Sequence, residues 1–237
     1  MKILALDTST EWLSVAVNDG SATDWHTRDV HATAGHSGQI LPLIQDVLSE
    51  AQTALRQLDV IALGIGPGSF TGVRIACSVA QGLALGAGIP LVAVSGLQAM
   101  ARTASEKHGW ARILTLLDAR MNEIYATAWC VENGVWQEDG ETGVYRPEQW
   151  RRLWQERIGS ETWHGAGDGL SVFPELKELF PSGGTDEDIR PTARVIGALA
   201  RGAFERGEIL RPEQTLPHYV RQRVALTIQQ RAAGEKW

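Results

Sequence analysis

Residues with chemical potential concentrate at three places in the chain. The first is GIGPGSFTGVRI, residues 64–75, where Gly64, Gly66, Gly68 and Gly72 surround Ser69 and Thr71 and lead to Arg74. Glycines let backbone N–H groups approach an anion, and the start of a following helix adds partial positive charge. Ser69 and Thr71 suit either a phosphate or a helix cap, and Arg74 suits a charged partner. There is no G-x-x-x-x-G-K-[ST], so the segment is not a Walker loop. Phosphate binding and a tight strand-to-helix turn capped by Thr71 both fit these residues. The second place is LDTST, residues 6–10. Asp7 could orient Mg²⁺ or a water, and Thr8 and Ser9 could bond a phosphate. An Asx or ST turn that satisfies a hairpin backbone fits equally well. The third is Asp118, open to the same two readings, with Arg120 close enough to neutralise it.

Other catalytic constellations are sparse. The histidines are 26, 31, 36, 108, 164 and 218, and none has a second histidine three or four residues away. There is no H-E-x-x-H, no cysteine cluster and no G-x-S-x-G elbow. His36 opens an amphipathic segment and reads as a helix-end or contact residue rather than a base. Cys77 and Cys130 lie in apolar surroundings and read as buried free thiols.

The elements that must carry these residues follow from periodicity. Residues 3–7 and 12–18 read as strands joined by the TSTE turn, with a third strand over 22–28. Ile40, Leu41, Ile44, Val47, Leu48, Ala51 and Leu55 repeat at helical spacing over 37–55. A buried strand at 60–65 feeds the glycine loop. A helix over 71–87, a strand over 90–94 and a helix over 96–107 follow. Residues 113–134 then repeat the pattern of 3–20: an apolar strand ending in Asp, a polar turn and an alternating strand. Asp118 answers Asp7, Ile124 answers Leu13, and GAGDG at 165–169 echoes GIGPG at 64–68. A helix near 147–157 and a strand near 161–165 lie between. Such a duplication is informative. It predicts an α/β chain with a duplicated actin-like ATPase and sugar-kinase fold, each lobe a mixed sheet flanked by helices. The first lobe spans 1–108 and the second 109–237. A helix over 191–206 closes the second lobe, and a basic tail follows.

At 237 residues and net charge −6 the chain has ample core and is no whole-surface nucleic-acid binder. Arg221, Arg223, Arg231 and Lys236 leave a local tRNA contact open for the tail. Residues 75–101 carry no charge, but GAGIP at 86–90 splits them into a helix and a strand, which argues against a membrane span. The N-terminal apolar run meets Asp7 too early for a secretory signal, so a cytoplasmic location is expected. In 71–87, Gly72, Ala76, Ala80 and Ala84 form a small-residue stripe beside Ile75, Val79 and Leu83. Core packing and close approach of a helix from another chain both fit such a stripe.

GIGPGSFTGVRI with AQGLALGAGIPLVAVSGL, ILALDTST, HSGQILPLIQDVL, LLDARMNEIYA and LPHYVRQRVA resembles the bacterial TsaB (YeaZ) family of tRNA threonylcarbamoyladenosine (t6A) synthesis. The resemblance spans nearly the whole chain and is thinnest over 135–190. It implies a non-catalytic relative of TsaD, the subunit that transfers a threonylcarbamoyl group to N6 of adenosine 37 in tRNA. Where TsaD-type proteins carry the H-x-x-x-H metal ligands, this chain has Gly96 and Met100, neither of which replaces imidazole. The resemblance implies no cofactor in the isolated chain, with ATP and metal belonging to the partners. It implies docking on TsaD and on the ATPase TsaE, a homodimer when alone, and tRNA contact through the complex only. It implies that the helices over 37–55 and 71–87 make the contact, and helical spacing then gives His36, Ile40, Ile44, Gly72, Ile75, Val79 and Leu83 as the contact residues. An active small-molecule kinase or ATPase using Asp7, Asp118 and the glycine loops is the alternative.

Overall fold

The computed structural model describes residues 1–21, 24–32, 35–132 and 135–221. The first half runs β1 (Ile3–Asp7), β2 (Trp12–Asn18), β3 (Trp25–His31), α1 (His36–Glu50), β4 (Val60–Gly64), α2 (Phe70–Ala87), β5 (Leu91–Val94) and α3 (Gly96–His108). The second runs β6 (Arg112–Arg120), β7 (Glu123–Glu132), β8 (Val135–Glu138), β9 (Gly143–Tyr145), α4 (Pro147–Ser160), β10 (His164–Ala166), α5 (Gly169–Val172), β11 (Thr185–Asp186) and α6 (Ala193–Glu205).

The two sheets share one topology. The first is ordered β3-β2-β1-β4-β5 and the second β8-β7-β6-β10-β11, with β9 added beside β7. In each, the opening hairpin is antiparallel and the next two strands join parallel to its first strand. The duplication read from sequence is therefore real, and the fold is the actin-like two-lobed α/β architecture. The registers differ by one residue at the turns: Asp7 faces Ser14, whereas Asp118 faces Ile124 across a bulge. Ile124 thus answers Ser14 rather than Leu13.

Two boundaries, one helix length and one packing partner depart from the sequence reading. The apolar repeat of α1 continues to Leu55, but the helix stops at Glu50. Gln52 turns left-handed (φ 48°), and Thr53 N–H donates back to the Leu48 carbonyl at 3.0 Å. This closure usually uses glycine, which is why the stop is silent in the sequence. The third strand begins at Trp25 rather than 22, because Asn18 Nδ2 donates to the Asp24 carbonyl at 2.7 Å and closes a longer loop; residues 22 and 23 lie outside the described residues. The helix that follows GIGPG has as its counterpart, at the end of GAGDG, only a single turn, α5. Finally, α6 does not cap the second lobe. Val195, Ile196 and Ala200 pack with Ile3, Ala5, Ala62 and Val92 on the first sheet. Conversely Leu97, Met100 and Ala104 of α3 pack with Ile113, Leu117 and Tyr125 of the second. These two helices lie between the sheets and tie the halves into one unit.

Apolar area on β1 and β4 is covered by α2 on one face and α6 on the other. Ala76, Ala80 and Ala84 are fully buried on the first sheet. By length and composition α2 could cross a membrane, but this buried face is that of a core helix. Cys77 and Cys130 are buried free thiols, and burial pushes the Cys77 thiol up to about 11.

Candidate functional site: an interlobe cleft and a helix-pair face

The two hairpin turns and the glycine loop surround a cavity of about 370 Å³ between the lobes, lined among others by Ser9, Glu11, Ser69, Asp118, Arg120 and Tyr219. Its groups are largely turned on one another. Asp7 is buried, and its Oδ1 accepts from Ser9 N–H at 2.9 Å and Ser9 Oγ at 2.8 Å. This is the Asx turn foreseen as one of its two readings. Asp7 Oδ2 has no partner among the described residues. Burial pushes the Asp7 carboxyl above its ordinary range, against the Ser9 bonds and the charge of His36.

The glycines serve close packing of this turn on the loop. A Cβ at Gly64 would collide with Asp7 Oδ2, one at Gly68 with the Ser9 carbonyl, and one at Gly72 with the Thr8 carbonyl. Gly66 takes φ 92°, a left-handed conformation suited to glycine. Ser69 N–H donates to the Ser9 carbonyl at 2.7 Å, and Thr8 Oγ1 donates to the Gly72 carbonyl at 2.6 Å. The cap of α2 is Ser69, whose Oγ accepts from Gly72 N–H at 3.3 Å, and not Thr71, which is exposed. Arg74 donates to Tyr219 Oη at 2.7 Å with its guanidinium carbon 3.6 Å above the Phe70 ring. Thr8 Oγ1, Ser9 Oγ, the Ser69 N–H and Arg74 are thus each bonded within the chain, while exposed Thr71 lines the cavity.

On the opposite wall, Arg120 pairs with Glu11 at 2.8 Å and with Asp118 at 3.1 Å, joining the two hairpin turns. The Arg120 hydrogen bond, followed by that of His31, holds the Glu11 carboxyl below its ordinary range. Asp118 N–H donates to Asp168 Oδ1 at 2.9 Å, and burial raises the Asp168 carboxyl in spite of that bond. Sequence reasoning found Asp118 and Arg120 but missed Glu11, Asp168 and Tyr219. Asp168 stands in GAGDG and was within reach of the duplication; Tyr219 has no local signal. No cluster of three or more metal-ligating side chains occurs among the described residues. Gly96 sits against Pro191, where a Cβ would come within 3.3 Å of its ring, and Met100 is fully buried.

The second candidate surface is the outer face of α1 and α2. The contact list splits here. Ile40 and Ile44 are 1% and 3% exposed, and Gly72 is sealed by the Thr8 carbonyl, so these three belong to the core. The stripe of Gly72, Ala76, Ala80 and Ala84 faces the chain's own sheet rather than another chain. Ile75, Val79 and Leu83 are half-buried one step round the helix, and His36 is half-buried at the start of α1. Leu41 and Leu85, which sequence reasoning left out, are 53% and 75% exposed. An apolar groove lies between the helices, lined by Leu41, Ile44, Leu48 and Leu83.

The family model for TsaD, tRNA N6-adenosine threonylcarbamoyltransferase, matches residues 30–143. The Escherichia coli K12 tRNA threonylcarbamoyladenosine biosynthesis protein TsaB is 39% identical over 231 residues, covering 95% of this chain and 96% of its own. The chain belongs to the TsaB family. A second TsaB, from Bacillus subtilis 168, is 33% identical over 140 residues, covering 58% of this chain and 59% of its own. The crystal structure of YeaZ from Pseudomonas aeruginosa superimposes with TM-score 0.80 at 37% identity, covering 92% of this chain and 99% of that one. Membership in TsaB fits a chain whose residues 30–143 are TsaD-like in sequence.

Proposed function

We propose that this protein is the non-catalytic docking subunit of t6A formation, required for threonylcarbamoyl transfer to N6 of adenosine 37 of tRNA. Half-buried Ile75, Val79 and Leu83 of α2, with exposed Leu41 of α1, form an apolar helix-pair face, and that face carries the reading. Contiguous apolar surface of this kind marks a site of protein association. The TsaD-type catalytic subunit docks there, and the TsaE-type ATPase joins at the junction. Because the partner is a paralogue, a second copy of this chain takes the same place when TsaD is absent.

The internal bonding of the cleft supports a role without chemistry of its own. Of the groups that a kinase or ATPase reading would turn on phosphate, Thr8, Ser9, Ser69 and Arg74 have intramolecular partners. Arg221, the first of the tail cations, is ion-paired with Glu123, which favours indirect tRNA contact. Arg223, Arg231 and Lys236 lie outside the described residues. ATP and the metal then belong to the partner subunits, and the complex works in the cytoplasm. Reconstituted tRNA modification with TsaD, TsaE and the adenylate-forming enzyme tests this. Modification that requires this chain, which alone turns over nothing, is the predicted result; equal modification without it refutes the role.

A further inference from the structure

Residues Thr215–Arg221 bridge the two lobes, with His218–Arg221 lining the interlobe cleft, and are fastened at both ends. On the first lobe, Gln81 Nε2 donates to the carbonyls of Pro212 and Thr215 at 3.0 and 2.8 Å. His218 N–H donates to the Ile65 carbonyl at 2.9 Å, and Tyr219 packs on Phe70 while accepting from Arg74. On the second lobe, Val220 packs against the cluster containing Leu117, Ala119 and Tyr125. Arg221 Nη2 donates to the Ala119 carbonyl at 3.1 Å and pairs with Glu123, and Arg221 Nη1 lies 3.3 Å from Met121 Sδ.

What Arg221 holds is an unusual turn. Arg120, Met121 and Asn122 are three consecutive non-glycine residues in the left-handed region, with φ 58°, 57° and 61°. Arg120 pairs with Glu123, so Met121 and Asn122 form the two-residue connection, for which positive φ at both positions matches the hairpin twist. Asn tolerates that conformation, but Arg and Met disfavour it. Such a turn persists where its surroundings over-determine it. Here they do so from two sides: Glu11 of the first lobe holds the Arg120 side chain, and Arg221 holds the backbone. Arg221 is well shielded, with a side chain 14% exposed, so its pairing with Glu123 is screened less than a surface ion pair.

We propose that residues 215–221 are an interlobe latch: Arg221 grips the strained β6–β7 turn and so fixes the opening between the lobes, and its release frees them to move. The proposal concerns the isolated chain and stands apart from the docking role.

Spin labels at Asp29→Cys on β3 and Glu156→Cys on α4, both exposed positions, report the lobe separation by pulsed dipolar spectroscopy; the native thiols are buried. With the latch intact the distribution is narrow. In Arg221→Ala and in Glu123→Gln it shifts to longer distances and broadens, and the amides of 119–123 exchange faster with deuterium. A change in Arg221→Ala alone assigns the grip to the Ala119 carbonyl and upholds the latch. Distributions in the folded variants that superimpose on that of the parent overturn it. If Arg221→Ala does not fold, Arg221→Met, which keeps the length of the side chain and removes the guanidinium contacts with Ala119 and Glu123, decides by the same criterion.

Discussion

Thr8 and Gly72 lie back to back: Thr8 Oγ1 donates to the Gly72 carbonyl at 2.6 Å, and a Cβ on residue 72 would overlap the Thr8 carbonyl oxygen. The glycine loop is shaped by the hairpin turn that rests on it. Gly72→Ala should therefore destabilise the chain by about 1–3 kcal/mol, the usual cost of overpacking a tight contact. Gly82, on the same helix, has nothing within 4 Å of its would-be Cβ. Gly82→Ala should stabilise by about 0.5–1 kcal/mol through helix propensity. Urea unfolding of the two variants beside the parent reads both signs.

The cap of α2 can be tested in the same way. Ser69→Ala removes the side-chain acceptor for Gly72 N–H and should cost about 1 kcal/mol. Thr71→Ala, at an exposed position two residues after the cap, should leave the unfolding midpoint nearly unchanged. Equal effects of the two substitutions would contradict the assignment of the cap.

Asp7 gives a pH dependence with a definite sign. Burial raises its folded-state pKa above the ordinary 3.8. The folded chain then holds the proton more tightly than the unfolded one. Stability attributable to Asp7 is therefore greatest below the unfolded pKa and declines as pH rises through the folded pKa. Asp7→Asn keeps an oxygen for both Ser9 bonds and removes the buried charge. It should be more stable than the parent at pH 7, and the gap should close as pH falls below 3.8. A variant less stable than the parent at pH 7 would show that the carboxylate is needed in its charged form.

The same bonding bears on nucleotide. Calorimetry of the isolated chain with ATP and Mg²⁺ should give no binding heat in the micromolar range. Micromolar affinity abolished by Arg120→Ala would place an anion in the cleft and favour the kinase reading.

Much of this was legible in the sequence, because the fold is duplicated. Two apolar strands ending at Asp7 and Asp118, each followed by an alternating partner, fix the two hairpins. The glycine loop marks the passage from β4 to α2. What escaped depends on contacts between distant residues. Burial of Ile40, Ile44 and Gly72 follows from which side of each helix meets the sheet, and a periodicity of apolar residues cannot tell the inner rim from the outer one. The placement of α6 on the first sheet escaped because chain order favours the nearer lobe. Tyr219 and Arg221 carry no local motif; only the fold brings them to Arg74 and Glu123.

The account rests most heavily on the outer face of α1 and α2. Val79→Glu places a charge on its half-buried ridge at the rim of the core, and Leu41→Glu does so at an exposed point. Titration of purified TsaD-type subunit into the parent chain and into each variant, with circular dichroism to verify folding, measures the effect directly. The docking account predicts tight binding by the parent and a loss of at least about tenfold, some 1.4 kcal/mol, in each folded variant. Full affinity in both would contradict it.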